Sequence, residues 1–191
     1  RKLELLLIAH NCATVPENGA NSFYEACQSF WFVQMLLQTE SSGHSISPGR
    51  FDQYMYPYYE KDLKSGALTP EFAQELIDCI WVKLNDLNKA RDAASAEGFA
   101  GYSLFQNLIV GGQSAPGVDA TNDLSFMCIE ASKHVMLPQP SLSIRIWNGT
   151  PQDLMMKAAD LTRTGIGLPA YYNDEVIIPT LINRGLTMEV R

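Results

Sequence analysis

The chain has 191 residues, 46% of them hydrophobic and 18% charged, with a formal net charge of −7. That apolar content suits a packed core, and a negative balance without a basic patch argues against a nucleic-acid partner. The longest apolar run, Phe30 to Leu37, is interrupted by Gln34 and is far too short to cross a bilayer. In chain order, Arg1 to His10 carries Glu4 inside its apolar part, which does not fit a secretory leader. Arg1 opens within a helical pattern and Arg191 closes one, neither with a cap, so an internal piece of a larger protein is expected. Asn21 to Glu40 reads as a long helix that is apolar nearly all round, as in the interior of a large protein. Ser41 to Tyr59, punctuated by Gly43, Pro48, Gly49 and Pro57, reads as a packed loop rich in aromatic residues.

Thr69-Pro70-Glu71 is a helix start, with Thr as N-cap and Pro in the first turn, and the helix is expected to reach about Ala94. Leu104 to Val110 reads as a short buried strand, ended by a tight turn at Gly111-Gly112. Asp123 to Met136 reads as a helix. Ser141 to Trp147 alternates strictly and reads as a strand. Thr150-Pro151 begins a helix to about Thr164, a short strand falls within Gly165 to Tyr172, and Asn173-Asp174 caps a last helix. Long helices followed by alternating strand and helix define an α/β class with parallel strands in the second half. No linker marks a boundary, so residues 1–191 are read as part of one domain.

The chemistry carried by isolated residues is sparse. Cys12, Cys27, Cys79 and Cys128 form no Cys-x-x-Cys pair and read as four reduced, mostly buried thiols of a cytosolic protein. His10, His44 and His134 have no metal-ligand spacing, and no nucleophile elbow, P-loop or dinucleotide fingerprint occurs. His44 beside Ser45 in a Gly-flanked loop has two readings. It caps loop backbone, the commoner fate, or the pair hydrogen-bonds a small polar ligand. By periodicity Phe105 is ordinary core. Arg145, alternating with apolar neighbours, needs an ion-pair partner if buried, with Asp52 and Arg50 as candidates for such a network, or else faces outward.

Four stretches resemble the glycyl radical enzyme superfamily, of the pyruvate formate-lyase type. They are Gly43-His44-Ser45-Ile46-Ser47 running into Gly49-Arg50-Phe51-Asp52-Gln53-Tyr54; Gln106-Asn107-Leu108 with Gly111-Gly112 and Asp119-Ala120-Thr121-Asn122-Asp123; Gln139-Pro140-Ser141-Leu142-Ser143-Ile144-Arg145; and Leu168-Pro169-Ala170-Tyr171-Tyr172-Asn173-Asp174 with Asn183-Arg184-Gly185. They stand in the family's order and span nearly the whole chain. The resemblance implies part of a ten-stranded α/β barrel wrapped in helices. It places a catalytic cysteine motif shortly after Arg191 and a glycyl radical, a modified glycine, near the C-terminus, so no catalytic residue is assigned within the chain and no bound cofactor or metal is expected.

The implied chemistry is a lyase reaction through a thiyl radical. His44 and Ser45 match in type and place a His-Ser pair that contacts substrate hydroxyls in the glycerol and propanediol dehydratases, and Phe105 matches an aromatic position on the pocket wall. The resemblance thus favours C–O cleavage of a small hydroxylated substrate, with a methyl or ring carbon against the Phe105 ring. Other members of the superfamily, acting as formate acetyltransferases or on C–N, C–S or C–C bonds, are the alternative, and a truncated, non-catalytic scaffold is an alternative of another class. An activating enzyme using S-adenosylmethionine and an iron–sulfur cluster, a homodimer and an anaerobic cytoplasm complete what the resemblance implies.

Overall fold

Residues 1–41, 43, 45–87, 92–98 and 104–187 are described by the structure, a computed structural model. Its first half is helical: α1 (Lys2–Thr14), α2 (Phe23–Glu40), α3 (Phe51–Tyr54), α4 (Tyr56–Ser65), α5 (Pro70–Asp86) and α6 (Ala93–Gly98). Strand β1 (Asn107–Gly111), a small hairpin of β2 (Gln113–Ala115) and β3 (Val118–Asp119), α7 (Asp123–Val135), β4 (Ser141–Ile146), α8 (Gln152–Thr162), β5 (Ala170–Asn173) and α9 (Asp174–Asn183) follow. Among the described residues no helix is long and apolar enough to cross a membrane.

Helix starts follow the local chemistry. Ser22 caps α2 by accepting from the Glu25 N–H, and the Glu25 carboxylate accepts from the Asn21 N–H at 2.6 Å. Thr69 caps α5 ahead of Pro70, as expected. Asn122 and Ser125 form a reciprocal capping box on α7, and Asn173 caps α9. Helix α5 stops at Asp86, short of the expected Ala94, and residues 88–91 lie outside the described ones.

The segment read as loop up to Tyr59 is corrected by the structure: from Phe51 onward it is two short helices. Pro57 sits in the first turn of α4, where a missing N–H costs nothing. Phe51, Met55 and Tyr59, spaced at four residues, are each 2% exposed or less and enter the core from one face. There the Phe51 ring meets Phe30 and Trp81 edge-on at 5.3 and 6.2 Å. The Asp62 carboxylate of α4 accepts from the Phe23 N–H at 2.7 Å, tying α4 to the start of α2.

β1, β4 and β5 form a parallel sheet in the order β1-β4-β5, with α7 and α8 as the connections. The parallel second half is as the sequence pattern requires. The segment before α3 adds to the sheet's free edge: Gly49 bridges Leu108 in parallel, and the Ser45 N–H donates to the Leu104 carbonyl at 3.1 Å. Leu108 and Val110 lie in register with Leu142 and Ile144, all fully buried in one core with Ile77, Trp81, Leu84, Leu124 and Leu154. Alternation sends Asn107, Ile109, Ser143 and Arg145 to the other face. That face is polar apart from Ile109, and the Ser143 hydroxyl bonds the Asn107 amide oxygen at 2.6 Å.

The expectation that α2 belongs inside a larger body agrees with its flank, where Val33, Leu36 and Leu37 are exposed. In α1, Leu3, Leu5, Leu6, Leu7 and Ile8 are exposed as well. Cys27 and Cys128 are buried, but Cys12 and Cys79 are exposed, which corrects the reading of mostly buried thiols. Apolar neighbours in sequence do not bury Cys79, because α5 turns only the stripe containing Ala73, Ile77, Ile80 and Leu84 inward.

Candidate functional site

The candidate site lies at the N-terminal ends of the parallel strands. His44 falls outside the described residues. Ser45 is exposed with φ of 40°, and Phe105 has φ of 56° with 63% of its surface exposed. Neither is the ordinary core residue that periodicity suggests for Phe105. Left-handed backbone at a serine and at a phenylalanine costs on the order of 1 kcal/mol or more each. It persists because the surroundings over-determine it, and the Ser45-to-Leu104 bond clamps the two segments together. The structure thus brings Ser45 and Phe105 to one edge.

A set of buried amides supports this edge. Gln34 and Gln38, one turn apart on α2, both donate to the Ile46 carbonyl, at 2.7 and 3.3 Å. The Gln34 amide also donates to Gln106 Oε1 at 3.1 Å. Gln106 in turn donates to the Leu84 carbonyl at 2.8 Å, which answers one of the orphan acceptors in the last turn of α5. The Gln106 N–H donates to Gln139 Oε1 at 2.7 Å, and Asn85 holds the Gln139 backbone through both its N–H and its carbonyl. By sequence Gln34 is only a break in an apolar run. Its signal was there: two glutamines four apart on a stripe that is otherwise apolar, where a buried amide must find partners.

The opposite, C-terminal ends of the strands carry a second polar cluster beside a cleft of about 730 Å³ lined by Arg50, Gln113, Arg145, Asp174, Glu175 and Ile178. Arg145 pairs with Asp174 through two bonds of 2.7 Å, so its ion-pair partner is neither Asp52 nor Arg50. The side chain of Arg145 stands on the sheet's polar face, where the first turn of α9 presents Asp174. Arg50 spends its guanidinium on the Gln113 and Gly111 carbonyls at 3.0 and 2.9 Å. Burial, followed by the neighbouring Arg145 charge, lowers its pKa. Asp52 is fully buried and accepts from the Gly111 N–H at 2.9 Å and the Ser125 hydroxyl at 2.7 Å. Burial raises its pKa against the pull of those bonds. Gly111 and Gly112 have φ of 72° and 76° and form the expected tight turn into the β2–β3 hairpin, which the sequence reading missed.

Among the described residues no group of three or more His, Cys, Asp or Glu side chains could hold a metal ion. Burial raises the pKa of the Cys27 and Cys128 thiols, so both are poor nucleophiles.

Parallel strands with helical connections and one apolar face covered by helices define an α/β scaffold. The chain belongs to the pyruvate formate lyase-like family of glycyl radical enzymes, whose profile matches residues 1–191. It is 78% identical to a structure solved for 1,2-propanediol dehydration in Roseburia inulinivorans, with a TM-score of 0.93, over 98% of this chain and 22% of that one. With the glycerol-bound B12-independent glycerol dehydratase from Clostridium butyricum it shares 63% identity and a TM-score of 0.90, over 98% of this chain and 24% of that one. A glycyl radical enzyme from Archaeoglobus fulgidus is 33% identical with a TM-score of 0.89, over 96% of this chain and 24% of that one. The chain spans about a quarter of the length of the curated relatives it matches, for example 24% of a probable dehydratase of Escherichia coli.

Proposed function

We propose that the whole protein is a glycyl radical dehydratase acting on a small 1,2-diol, and that residues 1–191 supply part of the wall of its substrate pocket without an internal domain boundary. The observation that carries this reading is the 78% identity to the structure solved for 1,2-propanediol dehydration, maintained over 98% of the chain. The clamped Ser45 and Phe105 edge is the place where that identity acquires chemistry. A thiyl radical, formed on a cysteine beyond this chain, takes a hydrogen atom from the carbinol carbon. The hydroxyl on the radical carbon gives up its proton, the adjacent hydroxyl takes up a proton and leaves as water, the hydrogen atom returns to the carbon that the water left, and the diol becomes an aldehyde. His44 and Ser45 hold substrate hydroxyls, because a polar pocket group left unpaired by the wrong substrate is costly. The Phe105 ring offers no donor and packs against the third carbon, which favours a methyl there over a hydroxymethyl. In the full ten-stranded barrel the polar face of Asn107, Ser143 and Arg145 lies toward the lumen. A homodimer, an activating enzyme that uses S-adenosylmethionine and an anaerobic cytoplasm belong to the same reading.

The full-length protein, activated without oxygen, is to be assayed with 1,2-propanediol and glycerol alongside its His44→Ala and Ser45→Ala variants. Diol turnover that falls at least about tenfold in both variants supports the assignment. Wild-type protein that carries the radical and dehydrates neither diol overturns it, as does turnover unchanged by both substitutions.

A further inference from the structure

The Gln34 amide joins two chain segments at once. Its Nε2 donates one hydrogen to the Ile46 carbonyl at 2.7 Å and the other to Gln106 Oε1 at 3.1 Å. Ile46 follows Ser45, and Gln106 follows Phe105. Gln34 is 4% exposed and Gln106 is fully buried, so water does not compete for either bond. An amide nitrogen carries two hydrogens in a fixed plane. One rigid group therefore adds a planar link between the two segments, beside the Ser45-to-Leu104 bond and the Gln38 bond to the Ile46 carbonyl. Gln106 cannot drift to compensate. Its N–H is held by Gln139, its carbonyl accepts from the Ser141 N–H at 3.0 Å, and its own amide is held by the Leu84 carbonyl.

We propose that Gln34 is a positioning residue for substrate preference: it couples the Ser45 turn to the Phe105 wall, and so fixes where a substrate's third carbon meets the ring once its hydroxyls are held. The inference rests on the dehydratase reading. Propanediol and glycerol present the same two hydroxyls and differ only in a methyl against a hydroxymethyl. A pocket separates them only if the wall that meets the third carbon stands at a set distance from the wall that holds the hydroxyls. Without Gln34 the backbone bond from Ser45 to Leu104 still joins the segments, but no side-chain link ties Ile46 to Gln106, so the two walls shift relative to each other and the discrimination falls while the chemistry remains.

The test uses the full-length, activated enzyme. Gln34→Met keeps the length and unbranched shape of the side chain and removes both donors. Gln74→Met is the control, because the Gln74 amide also serves two acceptors, Asp78 at 2.8 Å and the Met127 carbonyl at 3.1 Å, but joins α5 to α7 away from the Ser45 edge. In Gln34→Met the preference for 1,2-propanediol over glycerol, as the ratio of kcat/KM values, is expected to fall about tenfold. The loss should sit in KM, with radical content by electron paramagnetic resonance at the wild-type level. A ratio within twofold of wild type, or an equal shift in Gln74→Met, overturns the proposal. Should Gln34→Met carry no radical, Gln34→Glu, of the same shape, takes its place. Loss of the radical in both, with Gln74→Met intact, assigns Gln34 a purely structural role and also overturns it. Wild-type enzyme inert to both diols refutes the dehydratase reading itself, an outcome read without any variant.

Discussion

Asp52 offers a sharp check on the electrostatics of the fold. It is fully buried, and its Oδ2 is the acceptor for the Gly111 N–H and the Ser125 hydroxyl, while Oδ1, also buried, finds no donor among the described residues. Asp52→Ala strands two buried donors at about 1–3 kcal/mol each, so the direct loss is roughly 2–6 kcal/mol. Against this stands the relief of removing a carboxylate whose pKa burial raises. A carboxyl group with a raised folded-state pKa binds its proton more tightly when folded. Its burial then costs nothing below the unfolded pKa and costs progressively more as pH climbs from that value through the raised one. Wild type therefore loses stability over that window and the alanine variant does not. The gap between them should be widest in mild acid and narrow toward neutral pH. Thermal unfolding of full-length wild-type and variant protein, followed by calorimetry from about pH 5 to pH 8, measures it. A gap that widens with rising pH would mean that attraction to Arg50, and not burial, governs Asp52, and the reasoning would be refuted.

A Cβ at Gly112 would stand 2.7 Å from the Arg145 Cβ at φ of 76°. Gly112→Ala should therefore cost roughly 2–4 kcal/mol from left-handed strain plus overpacking, seen as a lowered melting temperature; an unchanged one counts against this close approach. Iodoacetamide applied to the native full-length protein should leave Cys27 and Cys128 unmodified, since burial raises both pKa values, and should reach them only after unfolding. Rapid labelling of either, read by peptide mass spectrometry, would contradict the core described here.

What the sequence made legible is what its local rules encode. Thr69-Pro70, Asn122 and Asn173 announce helix starts through their own side chains, and the alternation from Ser141 to Trp147 announces β4. The helices α3 and α4 were obscured because Gly49 and Pro57 look like breakers; their tolerated positions, before α3 and in the first turn of α4, depend on where the helices begin. The partner of Arg145 was illegible for another reason. Asp174 reaches it across 29 residues, through the pairing of β4 with β5, which no local pattern specifies. The same holds for the site. Ser45 and Phe105 were picked out by resemblance, whereas the amides that hold them are visible only once α2, β1 and the turn before β4 are packed together.

The span of those bonds has a consequence for how the protein is made. Gln34 reaches Gln106 across 72 residues, and Gln106 is pinned by Gln139 a further 33 residues on. A chain emerging from the ribosome therefore exposes the Ser45 turn long before the amides that shape it can close. For that interval α2 offers solvent its apolar flank as well as its unfilled polar stripe, a state in which long-range pairing is slow and sticky surface is abundant. The Ser45 and Phe105 edge is among the last features of this segment to take shape. Codon-level pauses or chaperone capture between Glu40 and Gln139 would act on the yield of a closed Ser45 edge while leaving the finished fold untouched.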